Sequence, residues 1–284
     1  MNVIINFTPT GMIPTKEMTE HVPVSPAEVV EDVRRARDIG ITMVHLHARN
    51  GEGRPAYQKE IYAEMIDGIR AFDRELVICV SLSGRDFQEF EQRTDCLNLN
   101  GELKPDMGSL TLSSLNFNRV ASMNSPQMIW RLAEAMKQKG ILPELEAFDA
   151  GMINYAKYLE RKGMLDAPHY FNLLCGNIAC AQADLLHAGI MIRDLPENSY
   201  WSLAGIGDTQ LMMNSIAIAS GGGVRIGLED NVWFDTKRSK LASNVELIER
   251  VHRICEANDR VVMAPSELRK RLNLLEGAGQ YGRK

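Results

Sequence analysis

Two histidines in the segment Val44-His45-Leu46-His47-Ala48-Arg49 give the chain its clearest chemical signal. In a strand, side chains two apart project to one side, so His45 and His47 would face together while Leu46 faces the opposite layer. Two imidazoles so placed can bind one divalent metal. They can equally be hydrogen-bonded histidines on a half-buried strand, and only a third ligand separates the readings. The segment Gly222-Gly223-Val224-Arg225-Ile226-Gly227-Leu228-Glu229-Asp230-Asn231 offers one. Alternation puts Arg225, Gly227 and Glu229 on one face, and Asp230 starts the turn. Glutamate with two histidines makes a three-ligand site that leaves positions open for water or substrate. Arg225 beside the carboxylates could hold Asp230 ionised or neutralise an anionic substrate, or form an ordinary ion pair at a solvated strand end.

Further polar residues fall where a strand interior would be apolar. Cys79, Ser81 and Ser83 share one face, as do Ser109, Thr111 and Ser113, and then Glu144 and Glu146. Carboxylates pointing into a barrel are costly unless paired or bound to something, so function and salt-bridged packing both remain open for the two glutamates. Gly176-Asn177 and Gly205-Ile206-Gly207 would let a ligand approach the backbone, or simply make tight turns. His187 and His252 fall in helical stretches, His169 precedes its strand, and His21 reads as a solvated loop residue. Lys16, Arg49, Arg54, Arg85 and Arg119 lie in loops and are expected to be surface cations.

The elements that must position these residues alternate. Short apolar runs begin near Val3, Ile41, Leu76, Met107, Ile141, Tyr170, Trp201 and Val224, each followed by room for a helix and two loops. Ser25-Pro26-Ala27-Glu28 is a capping box with a first-turn proline, and Ser243-Asn244-Val245-Glu246 repeats the capping signature. Eight strand candidates alternating with helices predict a parallel sheet, and eight is the number that closes into a (β/α)₈ TIM barrel. No glycine-rich fingerprint follows the first strand, which disfavours an open doubly wound sheet. No linker divides residues 1–284, so one catalytic domain is expected. Thr8 to Ser25 has little periodicity and holds Pro9, Pro14 and Pro23; it is expected to form a lid over the barrel's active face.

Composition narrows the class. With 32 Lys+Arg against 37 Asp+Glu the net charge is −5, which argues against DNA, RNA or an anionic membrane surface as main partner. No apolar run is long enough for a spanning helix, and Met1-Asn2-Val3-Ile4-Ile5-Asn6 is unlike a signal peptide, so a cytoplasmic protein is expected. Five scattered cysteines without a CxxC pair indicate neither a disulfide frame nor a thiolate metal site.

Taken together, the segments resemble the β-keto acid cleavage enzyme family, the 3-keto-5-aminohexanoate cleavage enzyme-like proteins. The resemblance runs through Thr10-Gly11, His45-Leu46-His47-Ala48-Arg49, Lys104-Pro105-Asp106-Met107, Ser114-Leu115-Asn116-Phe117, Pro143-Glu144-Leu145-Glu146, Ala204-Gly205-Ile206-Gly207, the Gly222–Asn231 segment and Ser243-Asn244. It implies a TIM barrel with a divalent metal, usually zinc. It also implies an acyl exchange in which a β-keto acid and acetyl-CoA become acetoacetate and a new acyl-CoA. By resemblance His45, His47 and Glu229 are the metal ligands, and Asp230, poised by Arg225, is the general base. Ser81, Gly84 and Ser109 match substrate-contact positions, with Glu144 as a further substrate-binding candidate; Ser109 stands where the family has threonine and keeps the hydroxyl. Members acting on aminated substrates carry a glutamate where this chain has Ile13, so a neutral or apolar substrate tail is expected. The resemblance further implies a homo-oligomer, with a tetramer favoured. The rival readings are a metal-dependent TIM-barrel hydrolase and a non-catalytic metabolite-binding relative.

Overall fold

The capping signatures start helices as expected. At Ser25 and at Ser243 the hydroxyl accepts from the third-position amide while Glu28 or Glu246 reaches back to the cap, satisfying otherwise orphaned donors. The first of these helices ends at Gly40, whose φ of 121° suits glycine. In this computed structural model, which describes residues 2–283, the barrel strands are β1 (Ile5–Phe7), β2 (Met43–Leu46), β3 (Val77–Val80), β4 (Met107–Thr111), β5 (Leu142–Ala147), β6 (His169–Cys175), β7 (Ser199–Gly205) and β8 (Gly223–Ile226), beside two short hairpins, Ala48–Arg49 with Pro55–Ala56 and Leu115–Asn116 with Ala121–Ser122. The barrel strands close into a ring in which every strand is parallel to both neighbours and β1 pairs with β8 and β2. The helices are α1 (Pro26–Ile39), α2 (Lys59–Arg70), α3 (Phe90–Thr94), α4 (Pro126–Lys139), α5 (Ala150–Arg161), α6 (Leu185–Arg193), α7 (Gln210–Ala219), α8 (Asn244–Ala257) and α9 (Pro265–Arg271). One follows each barrel strand, α9 being additional: this is the (β/α)₈ TIM barrel. No described helix is long and apolar enough to cross a membrane.

The large core lies between strands and helices, built from residues such as Ile5, Val44, Ile78, Leu110, Leu145, Leu173 and Val224. A second apolar cluster fills the amino-terminal end of the barrel, where Ile4, Met43, Val77, Met107 and Leu142 meet Leu268 of α9 and Leu272 just past its end. That plug is fastened by Arg269, whose two Nη groups each donate to an Asp106 oxygen at 2.8 Å. Both partners are buried, so removing either one would strand a charge, at a cost of about 3–5 kcal/mol. With its amino-terminal end filled, the barrel interior opens toward the carboxyl-terminal end. The Thr8–Ser25 loop lies over that end, and Met12, Ile13, Thr15 and Met18 border the cavity there.

Candidate active site

His45 sits inside β2, and His47 follows the strand end by one residue, at the rim where barrel strands deliver functional groups. Glu229 and Asp230 lie just past β8, which neighbours β1, itself the neighbour of β2. Their turn is fixed from several sides. Asn244, the first residue of α8, accepts from the Leu228 amide at 2.9 Å and donates to the Pro9 carbonyl at 3.0 Å. The Gly207 amide donates to the Asp230 carbonyl at 2.8 Å. The lid crosses so close that a Cβ on Gly11, which has φ 63°, would lie 2.4 Å from Glu229 Cγ; only glycine fits.

These elements bring the three candidate ligands together. The Nε2 atoms of His45 and His47 are 3.2 Å apart, and His47 Nε2 is 3.1 Å from Glu229 Oε1. His45 Nδ1 donates to Glu144 Oε2 at 2.5 Å, which leaves Nε2 to turn toward His47 and Glu229. Glu229 Oε2 is buried without a hydrogen-bond partner. Two imidazole nitrogens crowded against a carboxylate with an orphaned oxygen form a donor set that fits a divalent cation. The alternative grouping of His45, Cys79 and Glu144 fits one less well. It is wholly buried, with no room for substrate, and burial together with Glu144 pushes the Cys79 thiol well above its usual range, so no thiolate is on offer.

Electrostatics sort the roles. Burial lowers the proton affinity of His47, keeping its imidazole neutral as a ligand must be. Burial alone would do the same to His45, but Glu144 overrides it and raises His45 to about 9; a cation at Nε2 would take the proton's place. Burial works against charge on Glu229, yet Arg225 and His47 hold it well below the usual carboxylate range. Asp230 differs: burial raises it, and Arg225 only partly offsets that. The Arg225 guanidinium donates to Glu229 Oε1 at 2.6 Å through Nη2 and to Asp230 Oδ2 at 3.0 Å through Nε. Its side chain is 2% exposed, and burial alone would weaken its charge; the four carboxylates of Asp230, Glu229, Glu146 and Glu144 more than compensate. A raised carboxylate beside a strongly held one is the pattern of a proton acceptor next to a ligand.

Above this floor opens a cavity of about 730 Å³. Ser81 borders it, with His47, Glu229, Asp230 and Arg225. Gly84, Ser109 and Glu144 do not, in contrast to the contact expected of them. Ser109 Oγ accepts from the Leu82 amide at 2.9 Å and is buried. Gly84 is pinned under Met123, whose amide donates to its carbonyl. Glu144 is fully buried, accepting from Asn6 Nδ2 at 2.7 Å and from the Cys79 thiol in addition to His45. It shapes His45 from below instead of meeting a substrate. Its companion Glu146 does reach the cavity, where Thr111 Oγ1 donates to it at 2.7 Å and Arg225 Nη1 stands 3.9 Å away. Two arginines expected on the surface are not there. Arg49 is buried, donating to the carbonyls of Gly11 and Gly53 at 2.8 Å and so stapling the lid to β2's end. Arg85 is half-buried in the cavity wall. The other histidines stay clear of the site: His169 meets Glu160 at the opposite barrel end, and His187 caps α6 with Asp184.

Comparison with known proteins gives this geometry a context. The chain is 33% identical over 275 residues to a 3-keto-5-aminohexanoate cleavage enzyme of Fusobacterium nucleatum, covering 96% of this chain and 98% of that one. It is 34% identical to a 3-oxoadipate:acetyl-CoA acetyltransferase of Cupriavidus necator (95% and 94% covered) and 31% identical to a 3-dehydrocarnitine:acetyl-CoA trimethylamine transferase of Rhizobium meliloti (96% and 96%). Among solved structures the apo form of ObcA superposes with a TM-score of 0.78 at 18% identity, which speaks to the fold alone; it covers 89% of this chain, and this chain spans 65% of that one. The profile of the beta-keto acid cleavage enzymes matches residues 2–274. The chain belongs to the beta-keto acid cleavage enzyme family.

Proposed function

We propose that this chain is a metal-dependent β-keto acid:acetyl-CoA acyltransferase, a single catalytic domain that turns a β-keto acid and acetyl-CoA into acetoacetate and a new acyl-CoA. One observation carries the reading. The His45, His47 and Glu229 donors converge on the floor of the cavity, and Asp230, gripped by Arg225, stands beside them. His45, His47 and Glu229 would hold the ion, expected to be zinc, and the ion would supply Lewis-acid polarisation of a β-keto acid's oxygens. The rest falls to the side chains. Asp230, its basicity raised by burial, accepts the proton from the carbon between ketone and carboxylate. Arg225 fixes the orientation of Asp230 and stays cationic as negative charge develops. The carbanion attacks the acetyl thioester, CoA thiolate adds to the other acyl carbon, and carbon–carbon cleavage releases acetoacetate. Ser81 would contact the substrate directly, with Gly84, Ser109 and Glu144 supporting that wall from behind.

The substrate tail is proposed to carry no positive charge. Ile13 at the cavity edge cannot neutralise an ammonium, and Met12, Met18, Phe117 and Val120 beside it support a neutral or apolar tail over most of its length. A homo-oligomer, tetramer favoured, draws support from the apolar side chains exposed on α6, Leu185 at 72% and Leu186 at 69%. With a net charge of −5, a cytoplasmic role without nucleic-acid or membrane partners is the accompanying proposal. The test is a panel of β-keto acids given to the zinc-loaded protein with acetyl-CoA, following acetoacetate. Release with at least one acid is expected. Binding of the acids without consumption of acetyl-CoA would refute the activity.

A further inference from the structure

The five buried arginines among the described residues are all spoken for, whereas the half-buried Arg85 is not. Arg225 has Glu229 and Asp230, Arg269 has Asp106, Arg93 has the Leu82 carbonyl and Asn124 Oδ1, Arg70 has the Glu102 and Lys104 carbonyls, and Arg49 has two backbone carbonyls. Arg85, in the loop after β3, has no such partner. Its guanidinium lies 3.7 Å from the centre of the Phe117 ring. Its Nε is shut off from solvent without a hydrogen bond; no described carboxylate reaches ion-pair distance, and Glu229, Asp86, Glu146 and Asp230 act on its charge only from farther off. A cation taken partly out of water costs free energy that a ring face returns only in part, about 0.5–2 kcal/mol. The ring also leaves the planar fork of N–H donors unused, and a fork of that shape matches a carboxylate or phosphate. Arg85 borders the same cavity as His47, Glu229 and Asp230. Arg119 also lines it, but is exposed and can be served by water.

We infer that Arg85 is the anchor for an anionic oxygen group on the bound ligand, supplied either by a carboxylate at the far end of the β-keto acid or by a phosphate of acetyl-CoA. The inference rests on the proposed activity and adds to it a residue that selects among ligands. It is compatible with the apolar cavity wall, which would contact the methylenes between the reacting carbons and a charged end.

The experiment compares wild type with Arg85→Gln and Arg85→Lys, zinc-loaded. The acids are 3-oxoadipate and 3-oxohexanoate, which have the same six-carbon chain ending in a carboxylate or a methyl group. Acetyl-CoA and its 3′-dephospho form are the second pair. If the acid supplies the anion, wild type prefers 3-oxoadipate, the preference in kcat/KM falls by about 10- to 100-fold in Arg85→Gln, and part of it returns in Arg85→Lys. If CoA supplies it, the preference for acetyl-CoA over the dephospho form falls instead, through KM. Ratios within threefold of wild type for both pairs, in a variant that melts like wild type, overturn the inference while leaving the proposed activity standing. Should wild type turn over neither acid, these two are not its substrates, and the wider β-keto acid panel decides the activity. Calorimetric binding of 3-oxoadipate and of CoA to wild type and Arg85→Gln then decides the role of Arg85, with equal affinities for both ligands, or no binding, counting against it.

Discussion

Replacing Glu144 by glutamine changes one atom and no volume, yet it should weaken metal binding by about 10- to 100-fold, or roughly 1.4–2.8 kcal/mol. The reason lies in what the carboxylate does for His45. One oxygen accepts from His45 Nδ1 at 2.5 Å and the other from Asn6 Nδ2 at 2.7 Å, in a fully buried setting. A glutamine there can offer its carbonyl to only one of the two. Facing its amide to Asn6 sets two donors against each other. Facing it to His45 makes Nδ1 the acceptor and moves the imidazole proton to Nε2, the atom that must bind the ion. Either arrangement lowers the basicity or the availability of Nε2. Zinc affinity would be measured by competition against a chromophoric chelator at fixed pH, with thermal melting to confirm that Glu144→Gln is folded. A zinc affinity within threefold of wild type in a normally melting variant would refute the reasoning, because Glu144 would then have no hold on a metal ligand.

Other outcomes follow from the same geometry. Asp230→Asn should keep its zinc but lose proton exchange at the carbon between ketone and carboxylate by about 10²- to 10⁴-fold, read by NMR in deuterated water; full exchange would remove Asp230 as the base. Ile13→Glu should raise the ratio of kcat/KM for an aminated over a neutral β-keto acid, and an unchanged ratio would show that this edge of the cavity does not meet the tail. Glu28 gives a pH signature away from the site. Burial would raise its pKa, but the bonds from Lys16 and the Ser25 and Val24 amides hold it at about 2, below the ordinary 4.5. Because the folded value is the lower one, its stabilisation is complete above pH 4.5 and fades as pH falls toward 2. Its side chain is 41% exposed, so the size is taken from capping energetics and not from the shift: Glu28→Gln should cost about 1 kcal/mol at pH 7. The gap to wild type should close on acidification, and a constant gap down to pH 2 would contradict this.

The barrel was legible because strands and helices obey local rules. Each of the eight apolar runs picked out in the sequence begins within two residues of an observed strand, and both capping boxes start helices. The pairing of His45 with His47 was legible for the same reason, since strand alternation is local. Partners far apart in sequence were not. Glu144 reads as an inward carboxylate, but that it would take up the Nδ1 of His45, 99 residues away, depends on how barrel layers stack. Arg49 and Arg85 sit in polar loops and look like surface cations; nothing nearby says that one staples the lid and the other folds over Phe117. Ser109 has its hydroxyl where strand periodicity places it, but the Leu82 amide claims it before any ligand could. Glu146 shares a face with Glu144 by the same alternation, but that it and not Glu144 reaches the cavity and Arg225 depends on how the barrel layers stack.

The central claim is that one divalent ion is held jointly by β2 and the turn after β8. Diffraction from zinc-soaked crystals at the zinc edge tests it most directly. The account predicts a single strong anomalous peak within about 2.0–2.2 Å of His45 Nε2, His47 Nε2 and a Glu229 oxygen. A peak instead between Cys79, Glu144 and His45 Nδ1, or no peak on the barrel floor, would contradict it.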